Sequence, residues 1–514
     1  MRLPTTRRNL TGLLAGGLVL LLSPKRGAST AASGVITASQ FGVLSTNPNN
    51  REAFQQFINY LAATGAKGTL AQGVYNIDGG LTPPPKGPVI INGGGKDLTL
   101  ILGTGGSFLK PNGNLFLHNL SVKGFDYHID CNGPGDINVS NCNFENGKVF
   151  FRGTVNAETF SITDCSIKNF SSAGILTSKS TITKTAVFAR NYVRNIARYL
   201  YRISHEAPLY FEKNDIDGIT AGEFTGNAGV ARVILRGGST TYIRNNIIKN
   251  VIASDATSCL LYWSGNNAVI TGNTFGRFAS FKRTNLVQEK DSSSKYLIFS
   301  DNVFLGGVDR GEFDAVIYAV TSMEKNPSIK VIERNRGEHL QGKLLKILQQ
   351  KQDKIPPGNF VVRQNHFAKV DAPALVSIVQ GARDITVSDN IIQNLSNPHS
   401  QPITGTAYVK SLIGISITGY FGKFDGVKTQ NNHIRFSTDG ETTPRKSSLF
   451  YVRIFSRGTQ QTGSWVSSSD KIVNPDNILK LSDIPSGHYQ IKNLVISGLK
   501  GNKVVGSPTS LKGL

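Results

Sequence analysis

One six-residue frame (apolar, any, polar or Gly, Asn, any, apolar) recurs along this chain and narrows what it can fold into. It reads FARNYV at 188–193, FEKNDI at 211–216, IRNNII at 243–248 and ITGNTF at 270–275. It continues as FSDNVF at 299–304, VRQNHF at 362–367, VSDNII at 387–392 and TQNNHI at 429–434. IERNRG (332–337) keeps the Asn and loses the closing apolar residue. VSNCNF (139–144) and ITDCSI (162–167) carry Cys in the Asn slot, and LHNLSV (117–122) carries Leu. The slot falls at Leu120, Cys142, Cys165, Asn191, Asn214, Asn246, Asn273, Asn302, Asn335, Asn365, Asn390 and Asn432, with spacings from 22 to 42 residues. Helical repeats such as ankyrin hold a fixed period of about 33–34 residues. A floor near 22 with variable additions instead fits a coiled strand–turn–strand unit in which one loop per coil can grow. The copies are short, rich in Val, Ile, Phe and Tyr, and bounded by Asn, Gly or Asp, as strands are.

A stacked Asn has a physical reason. In a parallel β-solenoid, equivalent positions of neighbouring coils lie about 4.8 Å apart. A side-chain amide there donates to one neighbour and accepts from the other, and Asn tolerates the left-handed conformation of a tight bend. Cys142 and Cys165 fit the same column as small apolar fillers. A metal role for them lacks any CxxC or nearby His. The expected fold is all-β: a single-stranded parallel β-helix of about 12 turns, one per slot, with an internal Asn ladder.

The N-terminal region supplies the cap. Phe54, Phe57, Ile58 and Leu61 fall at i, i+3, i+4 and i+7, which predicts a one-sided helix over the open end of a solenoid. Phe41-Gly42-Val43 precedes it; Gly65-Ala66-Lys67-Gly68-Thr69-Leu70 and Gly73-Val74-Tyr75-Asn76-Ile77 follow. Over roughly residues 35–505 the chain resembles the right-handed parallel β-helix of the pectate-lyase-like superfamily, with an N-terminal region like that of bacterial and phage tailspike-type polysaccharide-degrading enzymes. The resulting division is a cap helix and first turns over 35–110, the β-helix over 111–505 and a tail over 506–514.

Residues 1–32 are different in kind. Arg7-Arg8, the apolar run Leu13 to Leu22, Ser23-Pro24-Lys25-Arg26 and the small residues Gly27 to Ser33 read as an export signal of twin-arginine type. The run is too short for a membrane-spanning helix, and no later segment is apolar enough to be one. Cleavage near Ala31 or Ala32 lowers the formal net charge from +22 to +17. A basic exported protein, placed in the periplasm, outside the cell or at its surface, suits an acidic polysaccharide and argues against nucleic acid.

Between the Asn frames lie further strands, among them YLYRIS (199–204), ARVILR (231–236), CLLYWS (259–264) and NLVQEK (285–290). Their polar alternates form a stripe: Arg202, Arg232, Arg236, Tyr262, Lys290, Tyr318, Lys346, Ser377 and Arg453, with His205, Glu206 and Glu289 adjoining. Arginines pair with carboxylates or sulfates, and Tyr or Trp263 can stack on sugar rings. The expected catalytic set is His205, Arg232, Arg236 and Tyr262; Arg202, Glu206, Trp263, Lys290 and Tyr318 are expected to bind substrate. The β-helix hydrolases of pectin-like chains carry Asn-Thr-Asp, Asp-Asp, Gly-His-Gly and Arg-Ile-Lys, none of which is present. The Arg-His-Gly of chondroitinase B-like and alginate lyases and the Asp-Pro-His-Asp of alginate epimerases are missing too. Asp215 and Asp217 read as parts of a structural turn rather than a carboxylate pair for hydrolysis.

Elimination from a uronate fits best: cations neutralise the carboxylate and a base takes the C5 proton. A non-catalytic glycan-binding or surface β-helix and a glycoside hydrolase are the alternatives. The sequence names no resident metal or cofactor outright; calcium, common in such lyases, has Asp309, Glu312 and Asp314 as its candidate set. Replacing Arg7 and Arg8 together by Lys is expected to strand the precursor in the cytoplasm, read by fractionation and immunoblot. Continued export would mark a general secretory signal.

Overall fold

The computed structural model describes residues 34–176, 180–197, 199–220, 229–235, 239–253, 258–264, 267–276, 278–280, 284–290, 296–305, 313–321, 329–349, 359–372, 374–379, 382–396, 412–419, 424–436, 449–456, 462–473, 477–482, 486–492, 495–497, 504–505 and 511–512. The segment read as an export signal lies outside them. The strands join in one continuous parallel sheet that coils on itself as a β-helix. Each coil contributes to three columns. The first column runs from Val35–Thr37 to Leu511–Lys512 and precedes the ladder bend; the second follows it, as in Tyr192–Ile196 and Asp215–Thr220. The third holds Tyr199–His205, Gly229–Leu235, Ser258–Ser264 and their equivalents. Right-twisted strands favour right-handed crossovers between parallel neighbours.

The slots form one buried column, as the repeat implied. Asn191, Asn214, Asn246, Asn273, Asn302, Asn335, Asn365, Asn390 and Asn432 are each at most 1% exposed. The bonding runs head to tail. Asn273 Oδ1 accepts the backbone N–H of Asn246 at 3.0 Å and its Nδ2 at 2.9 Å. Asn273 Nδ2 in turn donates to Asn302 Oδ1 at 3.0 Å and back to the Ile243 carbonyl at 2.9 Å. Leu120, Cys142 and Cys165 continue the column, and the Cys165 N–H donates to Asn191 Oδ1 at 2.9 Å. Burial raises the Cys165 thiol well above its ordinary range, which suits a filler and not a nucleophile.

Two details differ from the sequence reading. The left-handed residue of the bend is the one before the ladder Asn: Asp164, Arg190, Lys213, Asn245, Asp301, Arg334, Gln364, Asp389 and Asn431 have φ of 52–58°, and Gly272 has φ 67°. The Asn itself is chosen for its amide, and its neighbour bears the turn. The ladder also extends to a thirteenth slot, Asp470, which is fully buried. Its Oδ1 accepts both donors of Asn432 at 2.9 Å, and its Oδ2 accepts the hydroxyls of Thr429 and Ser467 at 2.6 Å. Coils continue on both sides of the twelve slots, and Leu511–Lys512 pairs with Tyr489–Gln490, so the sheet reaches into 506–514.

The cap forms as expected. Helix α1 (Arg51–Thr64) buries Phe54, Phe57, Ile58, Leu61 and Ala62, and ends at Gly65 with φ 70°. It sits on the first complete coil at Gly68, where a Cβ would lie 2.4 Å from the Phe57 ring. From it an aromatic core runs inward through Phe108, Phe125, His128, Phe144 and Phe150. No helix among the described residues is long and apolar enough to cross a membrane.

Replacing Asn273 with Leu strands two buried donors of Asn246 and one of its own receiving groups. Loss of about 1–3 kcal/mol is expected, seen as a lower melting temperature. An unchanged melting temperature would remove the ladder argument.

Candidate functional site

The third column turns the sequence stripe into a single row. Backbone pairing joins Arg152 to Ile175, Ile175 to Arg202, Arg202 to Arg232 and Arg232 to Tyr262. The row continues through Gln288, Tyr318, Lys346, Ser377, Ser416, Arg453 and Lys480. Six of these twelve positions are Lys or Arg, where 56 in 514 residues would place about one or two, and none is acidic. Lys346 and Ser377 are half-exposed.

The N-terminal end of the row is built in full detail. Asp130 pairs with Arg152 on the next coil and is 6% exposed. Arg152 grips it with both prongs, Nε to Oδ1 at 3.1 Å and Nη2 to Oδ2 at 2.9 Å. The guanidinium lies 3.3 Å over the Tyr127 ring, and Ser107 Oγ donates to Asp130 at 3.3 Å. The hydrogen bond that Arg152 donates to Asp130 raises the guanidinium pKa further, so this end carries a fixed cation whose charge the fold itself answers. The sequence reading began its stripe at residue 199 and missed both residues.

The other named residues fall as follows. Arg202, Arg232, Tyr262 and Tyr318 share the row. Lys290 lies two residues past Gln288 in the row of Ser264 and Val320. Trp263 lies one residue off, paired with Val233 and Glu289. His205 closes its strand and pairs with Leu235, three positions beyond Arg202. Glu206 is exposed at the bend that follows, its carbonyl accepting from Ser239 Oγ. Arg236 lies outside the described residues, as do Asp309 and Glu312; for Asp314 only the backbone is described. No group of three or more His, Cys, Asp or Glu suited to a metal occurs among the described residues. Asp215 pairs with Arg194 at 3.1 Å and Asp217 accepts from Asn250 at 2.5 Å, so this pair is tied into the coil surface.

A second polar cluster sits where the second column bends into the third. His339 Nε2 donates to Asp371 Oδ2 at 2.5 Å, and Lys369 Nζ lies 3.1 Å from the same oxygen. Ser396 donates to Asp371 Oδ1. Burial works against the Asp371 charge, but the bonds from His339, Ser396 and Lys369 outweigh it and hold the carboxyl below its usual range. His128 offers a contrast: it is packed among phenylalanine rings, and burial pushes its imidazole down to about 3. It is a core residue, uncharged at any ordinary pH.

No protein-family model and no curated protein matches the chain. Among solved structures it is similar to a mannuronan C-5 epimerase A-module of Azotobacter vinelandii, at 12% identity over 90% of this chain and 99% of that one, with a TM-score of 0.34. It is also similar to the catalytic unit of an alpha-1,3-glucanase from Streptomyces thermodiastaticus, at 11% identity over 94% and 71%, with a TM-score of 0.31. A third is the N-terminal fragment of bacteriophage Phi29 gene product 12, at 11% identity over 92% and 93%, with a TM-score of 0.36. At these scores the likenesses carry no argument, and the β-helix rests on the chain's own strand pairing.

Asp130→Ala removes both acceptors of a half-buried guanidinium. A loss of about 1.5–3 kcal/mol is expected from the charged hydrogen bonds, measured by thermal denaturation. Unaltered stability would show that Arg152 is held by Tyr127 alone.

Proposed function

We propose that the mature protein is exported, binds an acidic, uronate-containing polysaccharide along the third column, and cleaves it by β-elimination. The observation that supports this reading is the row from Arg152 to Lys480: six cations and two tyrosines in register at one position per coil, with the one acid, Asp130, at the N-terminal end and spent on Arg152. Coils repeat every 4.8 Å or so, about the length of one sugar unit. A linear polyanion lying along the axis would meet a new row position with each residue. Arginine supplies paired donors for a carboxylate, and tyrosine an apolar face for a sugar ring.

Elimination asks for two things beyond binding. The carboxylate beside C5 must be neutralised so that the C5 proton becomes acidic, and a base must take that proton. Arg202, Arg232 and Arg236 are assigned to the first task. His205 and Tyr262 are the nearby groups able to accept a proton, while Glu206, Trp263, Lys290 and Tyr318 are assigned to holding the chain.

Incubating the mature protein with alginate, pectate and glycosaminoglycans tests the reading. An unsaturated uronate, detected by its ultraviolet absorbance, is the expected product. New reducing ends without that absorbance would mean hydrolysis, and retention on the polymer with neither would mean binding alone. Affinity should fall steeply with salt, because exposed charges are screened over about 8–10 Å at physiological ionic strength. Arg232→Ala should weaken binding about tenfold, the loss of one charge-assisted hydrogen bond of about 1.5 kcal/mol, with an unchanged circular dichroism spectrum. Undiminished affinity would move the binding face elsewhere.

A further inference from the structure

The cluster at His339 has the parts of a proton-transfer centre, and nothing above uses it. Asp371 is 8% exposed and receives three polar side chains from three successive coils or its own. Held as a carboxylate, it accepts only, so the His339 edge that faces it carries the proton, Nε2–H. When the ring carries a single proton, that proton is on Nε2 and Nδ1 is the nitrogen with a lone pair to accept another. Asp371 fixes the ring's orientation and would stabilise the imidazolium formed when Nδ1 takes a proton, which is how a buried carboxylate serves a catalytic histidine.

Its place in the coil matters as much as its chemistry. His339 and Lys369 are register partners near the end of the second column, and Gln341 pairs with Asp371. From there the chain enters the third column after Gly342 alone in one coil, and after residues 372–373 in the next. The coils on either side use residues 305–312 and 397–411 for the same connection. The cluster thus stands at a short bend between two long connections, on the side of the coil that leads into the third column. Lys346 of the row is four residues past Gly342, about 13 Å along the strand. His339 is 22% exposed at its side chain, against 6% for Asp371, so the ring and not the carboxylate meets solvent.

We propose that His339, in place of His205 or Tyr262, is the catalytic base of the polysaccharide reaction and Asp371 its positioning residue. This rests on the reading of the protein as a lyase of acidic polysaccharide. His339 Nδ1 takes the C5 proton of a uronate. The C5–H electron pair becomes the C4–C5 double bond, the C4–O bond breaks, and the departing oxygen takes a proton from water. The imidazolium then returns its proton to the hydroxide so formed, and no oxidant or metal is needed. Lys369, the register partner of His339, is the cation at hand for the uronate carboxylate.

The test compares His339→Ala, His339→Gln, Asp371→Asn and Asp371→Glu with the wild type on the polymer it degrades best. His339→Gln should lower kcat at least a hundredfold with KM within about twofold, because general base catalysis is worth about 10²–10⁴. Added imidazole should restore part of the His339→Ala rate, and Asp371→Glu should retain more activity than Asp371→Asn at equal melting temperature. A wild-type rate in His339→Gln overturns the assignment while leaving the lyase reading intact. A loss in His339→Ala that imidazole does not relieve also overturns it, as a packing effect. A wild type that forms no unsaturated product from any of the three polymer classes overturns the lyase reading, and this assignment with it.

Discussion

Everything in this molecule is set by an amide that must both give and receive. Each ladder Asn is buried, and a buried donor or acceptor left alone costs about 1–3 kcal/mol. From Asn214 onward each Oδ1 receives two N–H groups from the coil before, and each Nδ2 reaches the coil after. A coil that slipped by one residue would break four such bonds and turn its apolar side chains out to water. The ladder therefore fixes the register of the first two columns. The third column is joined to them by connections that range from none to the fifteen residues 397–411, so its register rests on its own strand pairing. The row of side chains is a property of that pairing.

A directional ladder needs different residues at its two ends. At the N-terminal end the last rung needs only a backbone N–H to receive, and Cys165 gives one while its small side chain fills the space. At the C-terminal end the incoming rung brings two donors, and Asp470 meets them with a carboxylate that has no donors of its own to place. An Asn at 470 would bring an Nδ2 needing acceptors in the next coil. The bend itself is stabilised on the outside. Non-glycine residues in the left-handed region cost about 1–2 kcal/mol, and several of them bond across coils: Arg190 to Asp164 at 2.7 Å through both prongs, and Arg334 to Asp301 at 2.7 and 2.8 Å.

How much of this the sequence discloses depends on how far each interaction reaches. The ladder was legible because its rule acts inside six residues: an amide slot, a turn residue before it and apolar residues either side. The cap helix was legible from its 3.6 period. Asp470 was not, since SSSD departs from the Asn that marked the frame. Arg152 and Asp130 escaped because the strand Asn143–Thr163 runs through three columns without a break, so no turn residue announced its third-column part. His339 and Asp371 are 32 residues apart and meet only when two coils stack. Local spacing carries no trace of such a pair.

The row itself shows where stability and binding part company. Like charges directly opposite on neighbouring strands are destabilising, by about 1 kcal/mol for a pair near 4 Å in water. Where the fold places a cation next to a buried acid, as Arg152 beside Asp130, the charge is answered within the protein. Arg232 has row neighbours Arg202 and Tyr262, and Arg453 has Ser416 and Lys480, with no acid in either set. Serine at 377 and 416 shows that the same row position accepts an uncharged residue. Cations are therefore not required there by the coil, and a polyanion laid along the row would neutralise them in one step. Wherever two cations share neighbouring row positions, a polyanion bound there would raise coil stability along with its own affinity.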